Sequence, residues 1–216
     1  EAAGISVQEA HARFMETLEP LVDDAVFDLV ISGERVMADN TSSITRLVDD
    51  GVVGIDHLLS ISAGMNLAAG LMGEAINVAD PVALAPIRER FNSAALAIER
   101  SLDQLPKSQD IDTLRRASDS LLALGRGQDN LFDSRAAALP GGSGGLSGGV
   151  DIAARLKEKH EQFQLLITPI IDDAAFALVM TTEDITEQGE TAISGLIEGN
   201  AHILGLMLTA QAEGSL

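Results

Sequence analysis

Two residues that could bind a small polar solute lie on one helical register in the middle of the chain. The register runs in steps of three and four residues from Ile111 to Leu139, and it places Gln128 and Arg135 where a tight helix seam would hold leucine. Such a seam leaves a cavity, and the forked guanidinium group of arginine suits a carboxylate or an oxide. With Asn130 beside them, these residues form the ligand site that the sequence predicts.

The same stretch allows a second interpretation. If the buried stripe drifts through Leu122, Leu124 and Leu131, the three polar residues face water and bind nothing. Both interpretations remain open at this point.

Two pairs of adjacent carboxylates, Asp23–Asp24 and Asp172–Asp173, each lie three and four residues after a proline. They could bind a cation or an amine. We favour a structural role, in which proline begins a helical segment and the carboxylates stabilise its positive N-terminal end. Adjacent residues on a helix point about 100° apart, so neither pair can face one ligand from a single helix.

The four histidines form two pairs that match in an internal repeat, His11 with His160 and His57 with His202. Helical metal sites place a Glu or His three or four residues from the first ligand, and the residues after His57 supply none. We therefore expect no metal and no cofactor. Because His11 follows an apolar register, we expect hydrogen-bonded histidines in the core, with pH sensing as the alternative.

Catalytic residues are not predicted either. The sequence has no Ser/His/Asp order, no cysteine nucleophile and no glycine-rich phosphate loop after a strand. We expect that the chain is not an enzyme.

The composition predicts that helices position these side chains. Hydrophobic residues make up 46% of the 216 residues, but there are six Phe and no Trp, Tyr or Cys, which suits helix packing with small side chains. The predicted fold is all-α, an elongated antiparallel bundle of about six helices. Their predicted ranges are 5–32, 38–78, 82–105, 109–139, 150–181 and 184–214. The clearest stripe runs from Leu84 to Leu105, capped at Asp80.

An internal repeat relates the two ends of the sequence. Residues 11–30 align without gaps on residues 160–179, with nine identities in twenty positions. Further on, His57 aligns with His202 only if four residues are gained or lost, which is about one helical turn. Each copy contains Phe residues, including Phe27 and Phe176, that we expect in the core.

The repeat and its linker predict the domain organisation. Residues 1–139 would hold the first copy and two further helices, and residues 150–216 a truncated second copy that packs on the first. Residues 140–149 have the Gly/Ser composition of a flexible linker, which we interpret as engineered, with a natural loop as the alternative.

The charge balance limits the partners. Fourteen Lys and Arg against 33 Asp and Glu give a net charge of −19, and no basic run exists to bind phosphates. Nucleic acid and anionic membrane surfaces are therefore not expected partners. No stretch of about 18 apolar residues is free of charge, so no membrane span is expected in this sequence.

Several segments resemble the extracytoplasmic sensor regions of bacterial transmembrane receptors. They are the repeated segment at residues 20–27 and the segments at 66–71, 88–91 and 124–135. The resemblance is to the all-helical kind, which includes the trimethylamine-oxide-responsive histidine kinase sensor and the helical bimodular domains of chemoreceptors. It implies a membrane helix on either side and a cytoplasmic kinase, cyclase or methyl-accepting output domain.

The resemblance therefore implies a non-catalytic, periplasmic, ligand-sensing domain of an inner-membrane receptor that signals by helix displacement. Its partner would be a small-molecule ligand or a periplasmic binding protein, with a homodimer as a further expectation. The alternative from a different class is a structural or protein-interaction scaffold that has no small-molecule ligand.

Overall fold

The computed structural model describes the backbone of residues 2–128, 130–139 and 149–213, and the side chains of residues 9–128, 130–139 and 151–209. Every regular element in these residues is helical and none is a strand, which confirms the all-α prediction. The elements are α1 Ala2–Arg46, a π-helical segment Leu47–Val52, α2 Val53–Asn77, α3 Pro81–Gln104, α4 Gln109–Arg126, α5 Leu131–Ala138 and α6 Gly149–Glu213.

The chain divides into two compact units. Unit 1 contains Glu1–Leu47 and Val179–Leu216, and unit 2 contains Val48–Leu178. Unit 1 combines the first and last parts of the chain and unit 2 is the segment between them, so this division differs from the predicted boundaries at 139 and 150. The predicted linker lies almost wholly outside the described residues, and its engineered origin stays a prediction.

Two predicted helix breaks are wrong, and the predicted count of six is not confirmed. Residues 32–38 are helical within α1, and residues 181–184 are helical within α6. A glycine inside a helix costs only about 1 kcal/mol relative to alanine, so Gly33 does not end a helix of this length. Pro20 and Pro169 also lie inside helices, so neither begins a helical segment there.

The predicted fourth helix is divided into α4 and α5. Gly127 ends α4 with its N–H bonded to the carbonyl oxygen of Ala123, 2.8 Å away. Asn130 then begins α5 by accepting a hydrogen bond from the N–H of Asp133, 3.0 Å away. The periodic stripe continued across this break, which is why the register alone did not reveal it.

The predicted stripe on α3 is confirmed. As the sequence predicts, the Asp80 side chain caps α3 by accepting a hydrogen bond from the N–H of Val82 at 2.9 Å, and Pro81 occupies the first turn. All seven predicted stripe positions are buried: Leu84, Ile87, Phe91, Ala94, Ile98, Leu102 and Leu105. This stripe packs against α2 in unit 2.

The core of unit 2 combines side chains of α2 to α5 with the first part of α6. Phe91 and Phe132 pack with their ring centroids 5.3 Å apart, and α6 contributes Phe163 and Ile167. Gly64 lets α2 approach α3 closely, because a Cβ there would lie 2.7 Å from the Ile98 side chain.

The expectation that Phe27 and Phe176 lie in the core is wrong. They are 65% and 67% exposed, whereas Phe163 is fully buried. Phe27 and Phe176 match in the repeat and are exposed to the same extent, although they lie in different units. The other matched pair differs in burial, since Phe14 is half-buried and Phe163 is fully buried.

Candidate functional site

Asn130 holds the turn between α4 and α5 together. Its side-chain amide donates to the carbonyl of Gly127 at 3.0 Å and to Oδ2 of Asp133 at 2.5 Å. Asp133 in turn pairs with Arg88 of α3 at 2.8 Å. Asn130 is buried, and its oxygen and its amide nitrogen are both used in this network.

Arg135 is bonded to the main chain rather than aimed into a cavity. Its Nε donates to the carbonyl oxygen of Val78 at 2.9 Å, and one terminal nitrogen donates to the same oxygen. Val78 follows the last residue of α2, so the guanidinium group joins α5 to the end of α2. This contact satisfies a carbonyl group that the helix end leaves without an intrahelical partner.

The sequence predicts a cavity beside Gln128. At Gly125, the preceding position of the same register, the Phe91 ring fills this space. A Cβ on Gly125 would overlap the ring of Phe91, so this ring occupies the room that the missing side chain leaves. Gln128 itself is exposed in the turn, while Leu122 and Leu131 are buried. Asn130 and Arg135 have structural partners, and the assignment of these three residues to a ligand stays a prediction.

The histidines are not core residues. His11 and His202 are exposed, and His57 and His160 are half-buried, so the expectation of a partly buried His11 is wrong. His11 lies on α1 in unit 1, where Ile203 is the only buried side chain among the described residues. In the described residues, no group of three or more Asp, Glu or His side chains could hold a metal ion.

Sequence analysis missed a groove between α2 and the first part of α6, within unit 2. It has a volume of about 630 Å³. This volume lies within the range of small-molecule sites, which is roughly 300 to 1,000 Å³. Four polar side chains line it beside apolar ones, namely Asn66, Asn77, Lys157 and His160. Leu156 and Ile76 supply apolar surface, so the groove offers both kinds of contact to one solute.

Glycines create the room in this groove. A Cβ on Gly70 or Gly73 would have no atom within 4 Å, so both positions border open space. Ala69 and Ala153 add two more small side chains to the lining. The spacing of these glycines was visible in the sequence, but only the position of α6 shows that they border a groove.

A polar cluster lies at one end of the groove. His160 Nε2 lies 2.7 Å from Asn66 Oδ1, and the Gln164 amide donates to the same oxygen at 2.8 Å. A carbonyl oxygen only accepts, so a hydrogen bond between these two atoms needs the His160 proton on Nε2. The two bonds join α6 to α2 and fix the orientation of the imidazole ring beside the groove.

A second groove lies within unit 1, between α1 and the last part of α6. It has a volume of about 460 Å³, and its polar lining residues are Asp28, Ser32 and His202. The acidic side chain gives it a different character from the groove in unit 2. The paired carboxylates Asp23–Asp24 and Asp172–Asp173 are exposed on their helices and line neither groove.

Comparisons with protein-family models, curated proteins and solved structures found no match to this chain. Two helical stretches in the described residues, Glu9–Asn77 and Asp151–Thr209, are long and apolar enough to cross a membrane by length and composition alone. Core helices of soluble proteins meet the same criterion, so this finding does not assign a location.

Proposed function

We propose that this chain is a non-catalytic, ligand-sensing domain from the periplasmic side of a bacterial transmembrane receptor. The output domain would be a histidine kinase, a cyclase or a chemoreceptor signalling domain. The observation that supports this proposal best is the groove between α2 and α6, in which polar side chains from two helices converge on a space of small-molecule size. The proposal includes a fold of two related halves, in which residues 11–30 and 160–179 are the two copies of one duplicated segment.

The ligand class follows from the donors around the groove. Lys157 brings a positive charge that lies 3.8 Å from Glu161 Oε1, and His160 brings a ring whose orientation is fixed by Asn66. In a chain of net charge −19, cationic and amide groups placed at one groove favour a small organic acid over a cation. The apolar surface of Leu156 and Ile76 would contact the carbon skeleton of that acid.

Signal transmission would use α6. This helix lines the groove in unit 2, and its later residues belong to unit 1. An acid that contacts Lys157 and Asn66 together would favour one spacing of α6 against α2. Packed helices shift between discrete arrangements, so a small displacement of α6 is a suitable output.

Thermal unfolding with a panel of acetate, succinate, citrate and glutamate tests the proposal. A ligand of the folded state raises the melting temperature, and the gain increases with the ligand concentration above its dissociation constant. Gly73→Leu should abolish the response because its side chain projects into the groove. Gly205→Leu, which also replaces a helical glycine in open space but in unit 1, is the matched control and should keep the response.

The outcomes distinguish a ligand-sensing domain from a scaffold that has no small-molecule ligand. A response that is lost in Gly73→Leu and kept in the control supports the groove as the ligand site. No response to any of the four acids contradicts the proposed ligand class, and a response that survives Gly73→Leu contradicts the proposed place.

A second candidate function is a protein-interaction scaffold without a small-molecule ligand. Large exposed apolar side chains on α1 and α6 favour it, including Met37 at 72% exposed and Ile197 at 63%. Exposed apolar surface of this extent is typical of surfaces that bind another protein. A scaffold would show a binding partner on this surface and no thermal response to the acids.

A further inference from the structure

His160 is an ionisable side chain that belongs both to the groove of unit 2 and to the polar cluster at its end. The ring lines the groove and is half-buried there. Its Nε2 atom lies 2.7 Å from Asn66 Oδ1, and the Gln164 amide donates to the same oxygen at 2.8 Å. Two groups of α6 thus share one carbonyl oxygen of α2.

The contact with Asn66 selects one form of the neutral imidazole ring. A neutral ring has one nitrogen that donates and one that accepts, and a carbonyl oxygen needs a donor. The hydrogen bond to Asn66 therefore requires the proton on Nε2 of His160, which leaves a lone pair on Nδ1. In this form the ring has no second N–H to offer to a solute in the groove.

A carboxylate in the groove meets opposite conditions in the two charge states of this ring. It only accepts hydrogen bonds, so the lone pair on Nδ1 of the neutral ring repels it. In the imidazolium form both nitrogens donate, so Nε2 keeps its bond to Asn66 while Nδ1 donates to the carboxylate. Such a charge-assisted bond is roughly twice as strong as a neutral one.

The other side chains that line the groove do not supply this proton dependence. Lys157 is the second ionisable group of the lining, and its ammonium lies 3.8 Å from Glu161 Oε1. From the described part of α2, the lining contains the amides Asn66 and Asn77 with small and apolar side chains, and none of these is ionisable. Histidine is the residue type here that ordinarily changes charge between about pH 5 and 8.

Charged side chains on the adjoining turns have partners of their own. On α6, Glu158 and Lys159 are both hydrogen-bonded to Gln162. On α2, Glu74 pairs with Arg90 of α3 at 4.0 Å. We therefore assign the proton dependence of the groove to His160.

We infer that the groove binds its organic acid together with one proton, which is held on Nδ1 of His160. The inference rests on the proposed function, since it names the charge state in which that site binds the acid. The proton comes from the solvent, and the carboxylate stays ionised. By linkage, acid and proton each favour the binding of the other. Such a sensor responds to its acid most strongly in acidic surroundings.

Isothermal titration calorimetry of the whole chain with acetate and with glutamate, at about pH 6, 7 and 8, tests the inference. The carboxylates of these two acids stay ionised over this range, whereas succinate and citrate titrate close to it or within it. We expect the dissociation constant to rise roughly tenfold or more from pH 6 to pH 8. Titrations in buffers of different ionisation enthalpy should show an uptake of more than about half a proton per acid near pH 7.

Three histidine variants separate this effect from a general effect of pH. His160→Arg carries a permanent charge and should bind equally well across the range. His160→Gln does not titrate, so its profile should be flat and its affinity lower than that of the wild type at acid pH. His57→Gln is the matched control, because His57 is a half-buried histidine of unit 2 outside the groove, and it should keep the wild-type profile.

Asn66 is a positioning residue in this account, and the slope of the pH profile is its test. Asn66→Ala removes the acceptor for Nε2, so the neutral ring is free to hold its proton on Nδ1 and donate to the acid. The change in affinity with pH should therefore be much smaller than in the wild type. An unchanged slope would contradict the selection of one ring form by Asn66.

Further outcomes would overturn the inference. Nitrogen chemical shifts of the ring report its form without a ligand, and a neutral His160 with its proton on Nδ1 would contradict it. Acid binding that does not change with pH would also contradict it and leave the acid site itself intact. If neither acid binds at any pH, the proposed ligand class is contradicted as well.

The variants decide in the same way. A His160→Arg variant that keeps the wild-type slope, or a His57→Gln variant that loses it, would overturn the inference. Circular dichroism verifies that the helices remain. If His160→Arg loses helix content or does not bind, the profile of His160→Gln decides by the same criterion.

Discussion

At the scale of single residues, burial separates the phenylalanines that the sequence treats alike. Phe163 is fully buried in the core of unit 2, whereas Phe27 is 65% exposed to solvent. We predict that Phe163→Ala lowers the free energy of unfolding by about 3 to 5 kcal/mol, the usual cost of truncating a buried aromatic ring. Unfolding in denaturant measures this change in the free energy of unfolding.

Phe27→Ala is the matched comparison and should cost less than about 1 kcal/mol, because surface substitutions have small effects. Equal losses for the two variants would mean that the side chain of Phe27 is covered. Protein concentration must be held constant, since association changes apparent stability.

Gly125 offers a second comparison at this scale. Its missing side chain makes room for the Phe91 ring, which packs on Phe132. Gly125→Ala should destabilise the protein by about 1 to 3 kcal/mol through overpacking, although alanine favours a helix. Gly54→Ala in α2 meets open space and should stabilise by about 0.5 to 1 kcal/mol.

Thermal unfolding of both glycine variants gives the answer directly. We expect Gly125→Ala to lower the melting temperature and Gly54→Ala to raise it. A stabilising Gly125→Ala would contradict the close packing of the Phe91 ring.

At the scale of elements, the caps decide where helices begin. Asp80 accepts a hydrogen bond from the N–H of Val82 at the start of α3. Asp80→Ala should cost about 1 kcal/mol, and Asp80→Asn, which keeps an acceptor oxygen, should cost only a few tenths. Chemical denaturation of the two variants tests this, and equal losses would show that the cap contributes nothing.

Sequence analysis located α3 well because cap, proline and stripe agree at one place. It missed the α4 to α5 turn because the stripe keeps its register across Gly127 and Asn130. It also broke α1 at Gly33, where the helix continues and no turn forms. The periodicity of apolar residues predicts which face of a helix is buried. Only the tertiary structure shows which residues cover that face.

The π-helical segment Leu47–Val52 coincides with a feature of the repeat. The alignment requires four extra residues in the first copy between Asp49 and His57, next to this segment. π-helical turns are rare and occur mostly as single turns within α-helices. Gly51 within it lies against Leu178, where a Cβ would be 2.8 Å from the side chain.

At the scale of the whole molecule, composition sufficed for the all-α class, but the candidate site depended on tertiary structure. Asn130 and Arg135 were visible in the sequence, yet their hydrogen bonds go to the backbone and to Asp133. The groove residues Asn66 and His160 are 94 positions apart. No local pattern could place them together.

The central claim is that an organic acid binds in the groove between α2 and α6, and amide hydrogen exchange tests it most directly. Exchange is measured with and without saturating concentrations of the acid from the panel that raises the melting temperature most. We predict slower exchange at residues 66–77 and 153–160, which line the groove, while α3 and α4 change little. Unchanged exchange at both groove segments, or protection confined to other helices, would contradict the account.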